Sequence, residues 1–154
     1  METTKKPGER VRKSLENQKN AEIDNLILLN LEYYKSEGAA AINARIEELD
    51  REWDIERTLE VNAAAFALTG TLLGAFVNKR WLILPVLVTF FLGQHGVQGW
   101  CPPLPLLRKM GIRTRPEIDR EKYALKALRG DFKNVADPQQ AWQVVNLPHP
   151  TSVL

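Results

Sequence analysis

The side chains best suited to chemistry lie near the end of a long uncharged segment, where His95 and Cys101 are accompanied by Gln94 and Gln98. An imidazole and a thiol are both metal ligands, but one of each leaves a zinc site half complete. A thiol held as the thiolate can also serve redox or sulfur-transfer chemistry. The sequence predicts no catalytic, cofactor-binding or metal-binding residues and no cofactor. It leaves Cys101 as a candidate functional thiol. His95, Gln94 and Gln98 form what we call the polar exit, the polar end of this uncharged segment.

The surroundings of Cys101 disfavour a thiolate. Three of the six residues that follow it are prolines, which have no backbone N–H to donate. Cys101 also follows the C-terminal end of a predicted helix, whose dipole opposes a negative charge. Arg108 and Lys109 act weakly in the opposite direction. We therefore favour a structural role for Cys101, and for His95 a hydrogen bond to a backbone carbonyl or a lipid headgroup.

The segment that carries these residues is the second of two uncharged stretches, Val61–Val77 and Trp81–Leu107. Only Asn78, Lys79 and Arg80 separate them. This pattern predicts a transmembrane helical hairpin with a three-residue turn. The alternative is a pair of buried core helices in a soluble bundle.

Helix geometry favours the membrane interpretation. As helices, residues 58–77 and 81–100 each cover about 29 Å, close to the ~30 Å hydrocarbon core of a bilayer. Trp81 and Trp100 lie at the two ends of the second span, where indole rings anchor a helix at the membrane interfaces.

The rest of the chain is charged, and the charge is unevenly distributed. The net charge is +2 over 154 residues, but residues 21–60 carry four basic and eleven acidic side chains, and residues 108–137 carry nine basic and five acidic. One domain is the most that this length supports. The single cysteine excludes an intrachain disulfide, and no apolar core follows the basic N-terminus as in a cleavable signal peptide.

The predicted fold is all-α, a two-span transmembrane helical hairpin with helical cytoplasmic flanks before and after it. The predicted segments in chain order are a basic flexible arm (1–19), cytoplasmic helices that form an acidic stem (20–57), the transmembrane hairpin (58–107), a basic juxtamembrane segment and helix (108–132) and an irregular tail (133–154).

In the stem, the last helix carries an apolar stripe on one face. The residues of this stripe are Ile42, Ile46, Leu49 and Trp53. A preceding helix is expected from about Asn20 to Tyr34, with Gly38 separating it from the striped helix. No Gly or Pro prevents the striped helix from continuing into the first span, so we expect one unbroken helix there.

The C-terminal helix has clear end signals, with a capping box at Thr114–Glu117 and a glycine at Gly130. It is basic, whereas the stem is acidic, and both are expected on the same side of the membrane. Either the two pack together through their apolar stripes, or each is solvated separately.

Small residues are spaced along both predicted spans as in closely packed membrane helices. They are Ala63, Ala67, Gly70 and Gly74 in the first span, and Gly93 and Gly96 in the second. They either pack the hairpin against itself or form a contact between two copies. Because a lone hairpin buries few residues, we favour a homodimer.

The basic residues also predict an orientation. Eight of them flank the hairpin on the side shared by the termini, whereas the turn has only Lys79 and Arg80. The positive-inside rule therefore predicts that both termini are cytoplasmic.

Three motifs resemble a bacterial inner-membrane family, the domain of unknown function 2892 family. They are the run Glu52–Arg57 before the hairpin, Gly99-Trp-Cys-Pro-Pro103, and Gly111-Ile-Arg-Thr114. Members of this family are two-span hairpins, and the module is similar to the membrane tail of a membrane-anchored rhodanese, a sulfurtransferase. The resemblance covers residues 51–115 and implies an inner-membrane location and dimerisation, but no established activity. The chain contains no rhodanese domain, so sulfur transfer is not implied.

The sequence thus favours a small non-enzymatic protein of the bacterial inner membrane that acts as a scaffold or anchor through helix packing. Its expected partners are the lipid bilayer, a second copy, and a membrane or cytoplasmic protein. Nucleic acid is not expected, because residues 1–20 carry a net charge of only +3 and no aromatic residues. The alternative is a thiol-based redox or sulfur-handling membrane protein that uses Cys101.

Overall fold

The structure, a computed structural model, describes residues 11–12, 17–133 and 135–141. Its regular elements within these residues are all helical, which confirms the predicted all-α class. They are α1 (Asn17–Glu37), α2 (Ala39–Arg51), α3 (Ile55–Phe76), a 3₁₀ helix (Lys79–Leu82), α4 (Ile83–Gln98), α5 (Leu104–Lys109) and α6 (Arg115–Arg129). Two helical stretches, within Ala39–Phe76 and over Lys79–Gln98, are long and apolar enough to cross a membrane.

The chain divides into two compact units. The hairpin unit comprises Trp53–Pro116 and the described residues before Ile23, whereas the flank unit comprises Ile23–Glu52 and the chain from Glu117 onwards. Each unit has its own small core.

The break between α2 and α3 corrects the expectation of one unbroken helix. The Asp54 side chain accepts a hydrogen bond of 2.8 Å from the backbone N–H of Arg57, which caps the start of α3. The backbone N–H of Ile55 donates to the carbonyl of Arg113 at 2.9 Å. Two of the N–H groups at the start of α3 therefore have partners outside the regular helix ladder, which lowers the cost of ending α2 at Arg51 and starting a new helix.

The core of the hairpin unit lies where its two ends meet. Ile55 and Leu59 at the start of α3 form a buried cluster with Cys101 and Leu104, which follow α4, and with Val11. The same end is tied by Arg108, which is 2% exposed and donates to Oδ1 of Asn20 at 2.9 Å. Asn20 in turn donates to the carbonyl of Arg12 at 2.8 Å. The described residues of the predicted flexible arm are therefore helical, and Val11 among them is buried, whereas the rest of the arm lies outside the described residues.

The flank unit pairs the two predicted cytoplasmic flanks. Ile42, Ile46 and Leu49 of α2 pack against Ile118 and Leu125 of α6 in one buried cluster. The sequence left open whether α2 and α6 pack together or are solvated separately, and in the structure their apolar stripes pack together. Trp53 takes no part in this cluster, because it lies beyond the end of α2, and its side chain is 48% exposed.

A buried carboxylate lies between the helices of the flank unit. Glu121 of α6 has no exposed surface and accepts hydrogen bonds from Arg45 Nε at 2.9 Å and from Asn30 Nδ2 at 3.0 Å. In the Arg45–Glu121 ion pair the charges are the reverse of those expected from the net charge of each segment. The acidic stem supplies the cation, and the basic C-terminal helix supplies the anion. Lys122 and Asp50 form a second pair with the expected signs.

The ends of the flank helices follow the sequence signals. Gly38 and Gly130 adopt φ angles of 90° and 95° at the ends of α1 and α6, a conformation that favours glycine. In the tail, which was predicted to be irregular, residues 138–141 form one helical turn in which the N–H of Gln140 donates to Asp137 Oδ1 at 2.8 Å. Residues 142–154 lie outside the described part of the chain.

Candidate functional site

The candidate site is the exit from the hairpin, which begins where α4 ends. Gly99 caps α4 with a φ of 75°, and its N–H donates to the carbonyl of His95 at 2.7 Å. This left-handed residue turns the chain back towards the hairpin. Cys101 follows at once, and α5 begins at Leu104.

The turn brings His95 and Cys101 to the wall of the same pocket, which has a volume of about 440 Å³. Its walls come from α3, α4 and the segment around α5. The residues lining it are Thr58, Leu59, Asn62, Ala63, Phe66, Val88, Phe91, Leu92, His95, Cys101, Pro103, Leu107, Met110 and Ile112. The pocket is therefore predominantly apolar, with a few polar groups set into it.

The two polar side chains that α3 contributes direct their donors to their own helix. The Thr58 hydroxyl donates to the carbonyl of Asp54 at 2.8 Å, and Asn62 Nδ2 donates to the carbonyl of Thr58 at 2.7 Å. Such bonds to the preceding turn satisfy polar groups in an apolar helix face. Asn62 is not among the site residues predicted from the sequence, although a polar residue inside an apolar run is a signal for such a site.

Cys101 is buried, with 3% of its surface exposed. Burial raises the pKa of its thiol, and a hydrogen bond from the backbone of Leu104 offsets this only in part. Leu104 lies between two prolines, so the sequence argument missed this donor. The net effect favours the neutral thiol, which is the poorer nucleophile.

The other two polar exit residues face elsewhere. Gln94 Nε2 lies 3.3 Å from Gln98 Oε1, so the two amides pair along α4, and neither lines the pocket. The predicted polar exit is therefore two features, a histidine and a thiol on one side and a glutamine pair on the other.

The predicted small residues of the hairpin also fall into two groups, those packed between the helices and those on an open face. A Cβ atom at Gly70 would lie 2.6 Å from Cδ of Pro85, and one at Gly74 would lie 2.5 Å from Cδ2 of Leu82. These two glycines thus let α3 approach the 3₁₀ helix and the start of α4, and Ala63 and Ala67 on the same face are half-buried. A Cβ at Gly93 or Gly96 would meet nothing within 4 Å.

The predicted interface anchors Trp81 and Trp100 are both exposed, at 46% and 37%. Across the described residues, no group of three or more His, Cys, Asp and Glu side chains is placed to hold a metal ion.

The link between Arg108 and Asn20 is the feature of this unit that sequence reasoning missed entirely. The two residues are 88 positions apart, and neither belongs to a motif. No local pattern could have joined them.

Comparisons of the chain with protein-family models, with curated proteins and with solved structures gave no match.

Proposed function

We propose that this protein is a small integral membrane protein of the bacterial inner membrane that acts as an anchor or scaffold. The hairpin α3–α4 would hold the chain in the bilayer, and the helices that flank it in sequence would present a cytoplasmic surface to a protein partner. No step of this role requires chemistry at Cys101.

The observation that carries the proposal is the exposure of large apolar side chains on both hairpin helices. Phe76 is 84% exposed, Phe90 is 66% exposed and Val97 is 77% exposed. In the most apolar 18 residues of each of the two helical stretches, only 17% and 6% of the segment is buried within the protein. A core helix of a soluble protein would bury most of this surface, so the hairpin needs an apolar surrounding.

The proposed orientation has both termini in the cytoplasm. The hydrogen bond from Ile55 to the carbonyl of Arg113 joins the entry of the hairpin to its exit. The basic residues beside those two points therefore belong to one end of the hairpin, the end that the positive-inside rule assigns to the cytoplasm.

Family membership and self-association are part of the same proposal. The Cys101–Pro102 exit and Gly111-Ile-Arg-Thr114 carry the resemblance to the domain of unknown function 2892 family, and the Gly111 φ of 84° gives this second motif a backbone reason for its glycine. Because Gly70 and Gly74 are covered within the hairpin, a homodimer would use the open face of α4 at Gly93 and Gly96.

Alkaline carbonate extraction of membranes from cells that express the full chain tests the anchor. We expect the protein to remain with the membranes, as integral proteins do. Release into the supernatant, together with a peripheral control protein, would contradict the proposal. Labelling of single cysteines introduced at Lys79 and Ala136, in a Cys101→Ser background, tests the orientation. The turn should react only from outside the inner membrane, and the tail only from inside.

A thiol function is the second candidate, because Cys101 and His95 line one pocket. The burial of Cys101 and the raised pKa count against it. Replacement of Cys101 by Ser separates the two roles, since the anchor role predicts unchanged membrane assembly and partner capture. If Cys101→Ser still assembles in the membrane but no longer captures its partner, that result would favour the thiol role.

A further inference from the structure

The pocket at the exit of the hairpin has the size and walls of a ligand site. Its volume of about 440 Å³ falls within the roughly 300–1,000 Å³ of small-molecule sites. Of its fourteen lining residues, three have polar side chains, Thr58, Asn62 and His95. A ligand that fills it must therefore be largely apolar.

The polar groups on α3 do not call for a polar ligand. The hydroxyl of Thr58 and the amide N–H of Asn62 already donate to backbone carbonyls of their own helix. A polar metabolite would lose hydrogen bonds to water on entry and find few replacements. A hydrocarbon chain incurs no such cost.

The pocket is also continuous with the outer surface of the hairpin. Phe66 and Met110 line it, yet they are 56% and 68% exposed. They form a rim that leads from the pocket onto the apolar faces of α3 and α4. In a bilayer, those faces are covered by acyl chains, so a chain can enter the pocket from the surface without crossing a polar barrier.

We infer that this pocket holds one acyl tail of a membrane phospholipid. The inference rests on the proposed membrane placement and adds a specific lipid site to it. The tail lies between α3, α4 and α5, against Leu59, Phe91 and Leu107. It completes the packing of the hairpin at the end where Cys101 is buried.

The experiment uses the full chain in vesicles of phosphatidylethanolamine and phosphatidylglycerol that include a phosphatidylcholine with a diazirine in one acyl tail. Flotation first separates inserted protein from free protein. Illumination then attaches the probe, and mass spectrometry of peptides locates it. We expect labelling to concentrate on Phe66, Leu107 and Met110, above the level at Phe90, which is about as exposed as Met110 but does not line the pocket.

Two matched pairs of variants test the site itself. Ala63→Leu fills the pocket, whereas Ala64→Leu adds the same bulk on the exposed face of the same helix. We expect Ala63→Leu to lower pocket labelling roughly tenfold, the factor that corresponds to ~1.4 kcal/mol, and Ala64→Leu to leave it unchanged. If Ala63→Leu does not fold, Met110→Gln at the exposed rim and Leu106→Gln, which is equally exposed but outside the pocket, provide the same comparison.

The outcomes distinguish the two proposals. Protein that floats with the vesicles but labels evenly along α3 and α4, or whose pocket variants label like their controls, overturns the lipid site and leaves the anchor standing. Protein that does not float overturns both.

Discussion

Arg45 Nε donates a hydrogen bond of 2.9 Å to Oε1 of Glu121, a carboxylate with no exposed surface. The Arg45 guanidinium also lies 5.7 Å from the ring of Tyr34 and bonds Glu48 at 3.0 Å. Burial alone would lower the pKa of Arg45, but the hydrogen bonds to Glu121 and Glu48 more than offset this and raise it. The pair thus joins two segments that are 76 residues apart in the chain.

Replacement of Arg45 by Ala should destabilise the flank unit by about 3 kcal/mol, because it removes the cation that neutralises a buried carboxylate. Arg51→Ala is the control, since Arg51 and Glu47 are both well exposed, and it should cost about 0–1 kcal/mol. Hydrogen exchange of the α2 and α6 amides in the full chain measures the free energy of opening. Equal effects of the two variants would show that Arg45 contributes no more than a surface ion pair.

The close approach at Gly70 predicts that the same substitution has different effects on stability at Gly70 and at Gly93. Gly70→Ala should lower the melting temperature of the hairpin, because the new Cβ would lie 2.6 Å from the rigid ring of Pro85. Gly93→Ala meets no neighbour and should leave the hairpin as stable or raise its stability by up to about 1 kcal/mol, the helix propensity difference. Circular dichroism melts of both variants in the same detergent make the comparison. A Gly70→Ala variant as stable as Gly93→Ala would contradict the packing.

The buried thiol of Cys101 predicts a distinctive pH dependence of alkylation. Because burial raises its pKa, iodoacetamide should react more slowly with Cys101 than with an exposed cysteine at Ala136 in a Cys101→Ser background, and the rise in rate should occur at higher pH. The folded thiol holds its proton more tightly than the unfolded one. Its contribution to stability is therefore complete below the unfolded-state pKa and is lost as the pH rises through the folded-state pKa. Rapid alkylation of Cys101 at neutral pH would contradict this prediction and favour the thiol function.

The bond between Arg108 and Asn20 predicts a role for the N-terminal segment in the hairpin unit. Asn20→Ala removes an acceptor from a guanidinium that is 2% exposed. Hydrogen bonds to charged groups contribute about 1.5–3 kcal/mol, and we expect the amides of α5 to lose protection from exchange by a comparable amount. Lys109→Ala, at the exposed neighbour of Arg108, should have little effect. Unchanged protection in Asn20→Ala would mean that α5 is held without this bond.

Patterns of neighbouring residues predicted the two hairpin helices, the helices that flank them and several helix ends, but neither the break between α2 and α3 nor the short helix α5. Gly38 and Gly130 end α1 and α6 with positive φ angles, and their N–H groups donate to the carbonyls of Tyr34 and Lys126, which lie in the last turns of those helices. The spacing of Ile42, Ile46 and Leu49 identified the face of α2 that is buried. Each of these signals depends on residues within one or two turns of each other, so they can be read from the sequence alone.

The tertiary structure decided which of these residues make packing contacts and which residues they contact. The sequence by itself determined that the chain is helical, that it carries two long apolar stretches, and that small residues are spaced along both of them. It left Gly70 and Gly93 equivalent, whereas the structure covers the first with Pro85 and leaves the second open. It also left unknown that Glu121 pairs with Arg45, and that Cys101 and His95 share a pocket with Asn62. These relationships join residues far apart in the chain, and they depend on the packing of whole helices, which no local spacing encodes.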